Sequence, residues 1–249
     1  MRLLPTFALA LVLVACAGGD DEEDEQPAVA PTVATTVTEE PTTETGAEEP
    51  ATVTFRTSDG VELSGTLRGE GSRAVVLAHM AGGSGEDWAT VAEELAGGGR
   101  TVLAFDFRGH GDSGGTSAPA SAPVDLEAAV AFVRDRGAES VVLVGASLGG
   151  MAVATVGGKL GAEGVAVVSA PFSFGGLDVL PADIEALGGE KLFVVAEGDE
   201  VAPDIREMFR LAGEPKRLEA LSGSAHGTQI LASPQGERLR ALLLELATG

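Results

Sequence analysis

The sequence predicts a three-layer α/β/α sandwich built around a mostly parallel, eight-stranded sheet. Three observations carry that expectation. Short apolar runs without polar alternation, such as Ala74 to Ala78 and Val141 to Val144, suit strands buried on both faces. Between the runs lie segments with apolar residues spaced i, i+3, i+4 and i+7, as helices packed on a sheet require. Glycine-rich polar loops follow the runs, at the carboxyl edge where open α/β sheets place their sites.

The elements follow in order. Thr52 to Thr57 and Val61 to Arg68 flank the turn signal Ser58-Asp59-Gly60 and read as a hairpin. Ala74 to Ala78 is the third strand and leads into the loop His79-Met80-Ala81-Gly82-Gly83-Ser84. Ser84 suits an N-cap for a helix that buries Trp88, Val91, Ala92 and Leu95, and Gly97-Gly98-Gly99 stops it. Thr101 to Phe105 is the fourth strand, closed by Asp106 to Ser113, and a second helix presents Leu126, Ala129, Val130 and Val133. Val141 to Val144 enters the turn Gly145-Ala146-Ser147-Leu148-Gly149, with a helix expected from Leu148 to Leu160. Gly164 to Ser169, Lys191 to Ala196 and Lys216 to Leu221 complete the strands. Ile205, Met208, Phe209 and Ala212 mark one further helix; Leu239, Leu242, Leu243 and Leu246 mark the last, with Ser233-Pro234 as cap and first turn.

The first 51 of the 249 residues are not domain-like. Arg2 precedes an apolar run, Leu3 to Ala15, of the size of a signal-peptide core and too short for a mature bilayer span. Leu13-Val14-Ala15-Cys16 resembles the lipobox of bacterial lipoproteins, which implies cleavage after residue 15 and lipidation of Cys16, the chain's one cysteine. Residues 16–51 hold an acidic block, Asp20 to Glu25, among Pro, Thr, Ala and Glu, and read as a disordered tether averaging roughly 30 Å end to end. Setting aside Arg2 and the eleven acidic residues before position 52, the total charge of −22 leaves −12 on residues 52–249. A domain of that sign repels nucleic acid, and without a cysteine it forms no disulfide and excludes a cysteine nucleophile.

The chemistry concentrates at Gly145 to Gly149, which matches G-x-S-x-G. A serine at a strained strand-to-helix turn is exposed at the sheet edge, with glycines giving room on either side and the helix N-terminus offering amides to developing negative charge. Ser147 is therefore the candidate nucleophile. It needs a base, and His226 is the histidine that follows both the serine and a candidate acid in chain order. Asp199 in Glu197-Gly198-Asp199-Glu200 is the favoured acid, because the preceding glycine permits a sharp turn, with Glu197 and Glu200 as rivals. It would accept the His226 Nδ1 proton and fix the ring's tautomer.

Taken together, these stretches, with Trp88 and the loop Asp106-Phe107-Arg108-Gly109-His110-Gly111-Asp112-Ser113, resemble the α/β-hydrolase superfamily over Thr52 to about Leu246. The resemblance implies a backbone oxyanion hole formed by Leu148 and by Met80 or Ala81, no metal or organic cofactor, and structural roles for His79 and His110. Methionine at position 80, where the family commonly has glycine, leaves the second donor open and brings a side chain that narrows the acyl pocket. About twenty residues separate Ser169 from Lys191, too few for a large cap. Phe172, Phe174, Leu177 and Leu180 in that stretch either line a shallow apolar site or pack the core. The expected protein is a serine carboxylesterase or related acyl hydrolase acting on small or flexible esters, lipid-anchored at the extracytoplasmic face of a bacterial membrane. A catalytically idle binding module and an acyltransferase acting on wall components are the alternatives.

Overall fold

The computed structural model describes residues 49–249, so the signal peptide, Cys16 and all but the end of the tether lie outside the described residues. β1 (Ala51–Arg56) and β2 (Glu62–Arg68) form the antiparallel hairpin, closed by the Thr57 amide donating to Val61 O at 2.9 Å. β3 (Arg73–Ala78), β4 (Thr101–Phe105), β5 (Ser140–Ala146), β6 (Gly164–Val168), β9 (Glu190–Ala196) and β10 (Lys216–Leu221) complete one sheet in the order β1-β2-β4-β3-β5-β6-β9-β10. β2 pairs antiparallel with β4, and every pairing from β4 to β10 is parallel. This is the α/β-hydrolase fold.

The apolar runs lack alternation because both faces are covered. In β3, Val75 and Leu77 face one apolar cluster, shared with α1 (Ala89–Ala96) and α6 (Gly236–Thr248). Ala74, Val76 and Ala78 face the other, shared with α2 (Ala122–Asp135), α3 (Leu148–Val156), α4 (Pro181–Glu185) and α5 (Ala202–Leu211). β5 divides the same way, Val142 and Val144 against Val141 and Leu143, all at most 1 % exposed. At roughly 1.5–3 kcal/mol per fully buried aliphatic side chain, those four residues hold the nucleophile's strand at the centre of the sheet.

Several boundaries differ from the sequence expectation. The helix after Ser84 begins as a single 3₁₀ turn, Gly85–Trp88, without a side-chain cap from Ser84, and α1 starts only at Ala89. α3 ends at Val156, short of Leu160, where Gly157 and Gly158 lie so close to neighbouring backbone that no larger residue fits. The final helix starts at Gly236 behind Gln235, because Gly227–Ala232 forms its own 3₁₀ segment and Ser233 donates back to that segment's Ile230 carbonyl. Between β6 and α4 the chain folds into a two-stranded hairpin, β7 (Ser173–Phe174) with β8 (Leu177–Asp178), too short to leave a period in the sequence. Within it Leu177 is buried, Phe174 is 44 % exposed and Leu180 just beyond is 56 % exposed, so the four apolar residues of this stretch divide between core and surface.

Candidate active site

Ser147 sits where β5 turns into α3, at φ 49° and ψ −109°. A non-glycine residue held there costs about 1–3 kcal/mol, which the packed elements on both sides offset. The flanking glycines are sterically required: a Cβ on Gly145 would run into the Gly149 backbone, and one on Gly149 into the Ala78 carbonyl. The Ser147 amide donates to Val168 O at 2.8 Å, which ties the turn to β6.

The loops after β9 and β10 are drawn together by continued ladder pairing. Glu197 N–H donates to Leu221 O at 2.7 Å and Gly198 N–H to Gly223 O at 2.8 Å. Asp199 and His226, which follow these contacts, therefore meet across a distance of 27 residues in sequence. His226 Nδ1 lies 3.0 Å from Asp199 Oδ2 and 3.1 Å from Oδ1, and His226 Nε2 lies 2.8 Å from Ser147 Oγ. The Asp199 side chain is 3 % exposed and that of His226 30 %. A carboxylate accepts only, so Nδ1 carries the proton it shares with Asp199 and Nε2 is free to accept from the serine hydroxyl. The Val201 amide also donates to Asp199 Oδ1, at 3.2 Å, holding the carboxylate's angle. Glu197 and Glu200, by contrast, are exposed and make no hydrogen bond to His226.

Leu148 is the first residue of α3, and among the described residues its amide donates no hydrogen bond; the same is true of Met80 and Ala81. These three N–H groups are therefore unpaired among the described residues. The loop carrying Met80 and Ala81 is fixed from below. Gly149 N–H donates to His79 O at 3.1 Å, and the buried His79 ring accepts from Phe107 N–H through Nε2 at 2.9 Å while Nδ1 donates to Met80 O at 2.7 Å. With both nitrogens engaged this way the ring is neutral, and burial holds its pKa below the ordinary 6.5, although the bond to Met80 O pulls the other way. His110 packs edge-on to His79 and accepts from Gly82 N–H at 3.4 Å. Neither histidine hydrogen-bonds to Ser147, Asp199 or His226.

Sequence reasoning missed two tertiary ties. Thr228 Oγ1 donates to Asp87 Oδ2 at 3.2 Å, joining the His226 loop to the turn after β3. Arg108, placed in a motif without a role, pairs with Asp59 and Asp125 at 2.7 Å each. Residues 49 and 141 positions apart leave no local signal for such contacts. A polar cavity of about 170 Å³ lies nearby between Ser64, Thr66, Ser84, Glu86, Asp106 and Asp112, but neither Ser147, Asp199 nor His226 lines it. Among the described residues no three His, Cys, Asp or Glu side chains converge as a metal site, and no helix is long and apolar enough to cross a membrane.

A family model described as the alpha/beta hydrolase family matches residues 75–244. Among solved structures, an esterase of Pyrococcus furiosus superposes with a TM-score of 0.71 at 19 % identity, covering 80 % of this chain and 90 % of the other. The esterase domain of a Rhodothermus marinus protein gives 0.63 at 22 % identity, over 80 % of this chain and all of its own. A Xanthomonas campestris serine hydrolase described as lacking a lid gives 0.58 at 20 %, over 71 % and 85 %. No curated protein sequence matches significantly.

Proposed function

The chain belongs to the alpha/beta hydrolase family, and we propose that it is a serine hydrolase of carboxylic esters, lipid-anchored through Cys16 at the extracytoplasmic face of a bacterial membrane. The observation that carries the catalytic reading is the unbroken line Ser147 Oγ, His226 Nε2, His226 Nδ1 and Asp199, with contacts of 2.8 and 3.0 Å. The esterases and the lidless serine hydrolase among the structural neighbours support it.

In this reading Ser147 Oγ attacks the ester carbonyl carbon as His226 Nε2 takes its proton, and Asp199 stabilises the imidazolium. The oxyanion accepts hydrogen bonds from Leu148 N–H and from Met80 or Ala81 N–H. His226 then returns the proton to the leaving alcohol, and water, activated by the same nitrogen, cleaves the acyl-enzyme and regenerates Ser147. Only a two-residue-per-strand hairpin stands in the position of a cap, which suits small or flexible esters.

Ser147→Ala is expected to lower kcat on p-nitrophenyl butyrate by several orders of magnitude, up to about 10⁶-fold, with an unchanged melting curve, and to abolish labelling by a fluorophosphonate. Wild-type turnover in the alanine variant rules out Ser147 as the nucleophile, whereas a parent protein that neither turns over nor labels rules the reading out in favour of an idle binding module. The anchor is tested apart from catalysis. Cys16→Ser should move the protein from the membrane fraction to the soluble one, and retention in the membrane would reject lipidation at that residue.

A further inference from the structure

In an ester attacked at Ser147, the proton held by His226 Nε2 goes to the leaving oxygen, so the alcohol half of the substrate lies on the His226 side and the acyl half on the other. The two halves of the fold's core separate these sides. The His226 loop crosses toward the α1/α6 face, where Ile230 is buried and Thr228 bonds to Asp87. The segment after β6 packs on the opposite face, with Phe172, Leu177 and Val179 joined to the cluster under α2 to α5. Met80 belongs to the first side. A Cβ built on Gly227, the residue after His226, would fall 3.2 Å from Met80 Sδ, 3.5 Å from Met80 Cβ and 3.7 Å from the Cβ of Ala146, the residue before Ser147. The Met80 side chain thus packs against the residue after the base, where the residue before the nucleophile also comes close. Gly227 has φ 57° and no side chain, which is what allows the thioether so close. Met80 is only partly buried, so part of its surface remains accessible.

We propose that Met80 is a specificity-determining residue for the leaving alcohol, its thioether forming an apolar wall that admits unbranched primary alcohols and crowds branched ones. This rests on the serine hydrolase reading. It also replaces the expectation that Met80 narrows the acyl pocket, because the side chain packs on the His226 side. An unbranched thioether suits such a wall, being apolar, polarisable and adaptable in shape.

The test uses the full-length protein and two ester series: butyrates of n-propyl, isopropyl and tert-butyl alcohol, and n-propyl esters of acetate, butyrate and hexanoate. Selectivity is read as ratios of kcat/KM, from which any effect of Met80 on the oxyanion amides, common to all esters, cancels. Met80→Ala should raise the isopropyl to n-propyl ratio about tenfold, the low end of what a methylene or two is worth in an apolar pocket, and Met80→Phe should lower it by a similar factor. The acyl-chain ratios should change less than about twofold. Either variant alone decides the matter if the other loses its cooperative melting transition. A shift in the acyl ratios with constant alcohol ratios, or no shift in either series, overturns the proposal. Failure of the hydrolase reading shows itself differently, as turnover that survives Ser147→Ala or is absent from the parent.

Discussion

Asp199 is the one carboxylate of its loop that the fold brings to His226. Its carboxylate is 3 % exposed and accepts hydrogen bonds from His226 Nδ1–H and the Val201 amide, whereas Glu197 and Glu200 are exposed to solvent. A carboxylate in that place fixes which imidazole nitrogen is protonated, and an amide does not. Asp199→Asn keeps the size and the burial but supplies an NH₂ group able to donate to Nδ1, which favours the tautomer with Nε2 protonated and unable to accept from Ser147. The expected result is a loss of about 10⁴-fold in kcat with the melting temperature little changed. A loss below tenfold would transfer the role to another acid, and Glu197→Gln and Glu200→Gln measured beside it would show which one.

At the scale of elements, the site depends on loops that are stitched together from far apart. Arg108, at the start of the loop after β4, donates to Asp125 on α2 and to Asp59 in the β1–β2 turn, with its own side chain 9 % exposed and that of Asp125 fully buried. The two carboxylates raise the guanidinium pKa further above its ordinary value, Asp59 first, and Arg108 in turn holds Asp59 down at about 2. Removing the arginine leaves Asp125 as a buried charge without a cationic partner. Arg108→Ala should therefore destabilise by about 3–5 kcal/mol in urea titration, whereas Asp59→Ala, at an exposed position, should cost far less. Equal losses for the two variants would contradict this account. The contrast also marks what was legible in the sequence. Strands such as β5 and β9 declare themselves because burial on both faces demands an apolar run; Ser147 and His226 stand out by an elbow motif and chain order, whereas the sequence only favours Asp199, by the glycine before it, over Glu197 and Glu200. The placement of β4 between β2 and β3, the hairpin β7–β8 and the ties of Thr228 to Asp87 and Arg108 to Asp125 are set by tertiary packing. No window of neighbouring residues encodes them.

Over the whole molecule the decisive quantity is charge. The chain carries −22 in all and −12 over residues 52–249, and Glu197 and Glu200 place two exposed carboxylates beside Asp199 at the carboxyl edge. A field of that sign raises the local concentration of cations and depletes anionic substrates. It acts beyond contact distance at low salt, where the screening length is about 30 Å at 0.01 M, and little at 0.15 M, where it is about 8 Å. The hydrolase reading therefore carries a prediction that concerns the fold's surface and not its triad. With n-propyl butyrate, kcat/KM should be flat between these two salt concentrations. With the singly charged mono-n-propyl succinate it should rise several-fold as salt is added, through KM more than kcat, because repulsion opposes encounter. Ser147 is only partly buried and Glu197 and Glu200 are exposed beside Asp199, so a substrate approaching the serine meets their field. If the succinate ester is as insensitive to salt as the butyrate, the field of the acidic surface does not reach the site, and the negative charge acts only on the rest of the surface.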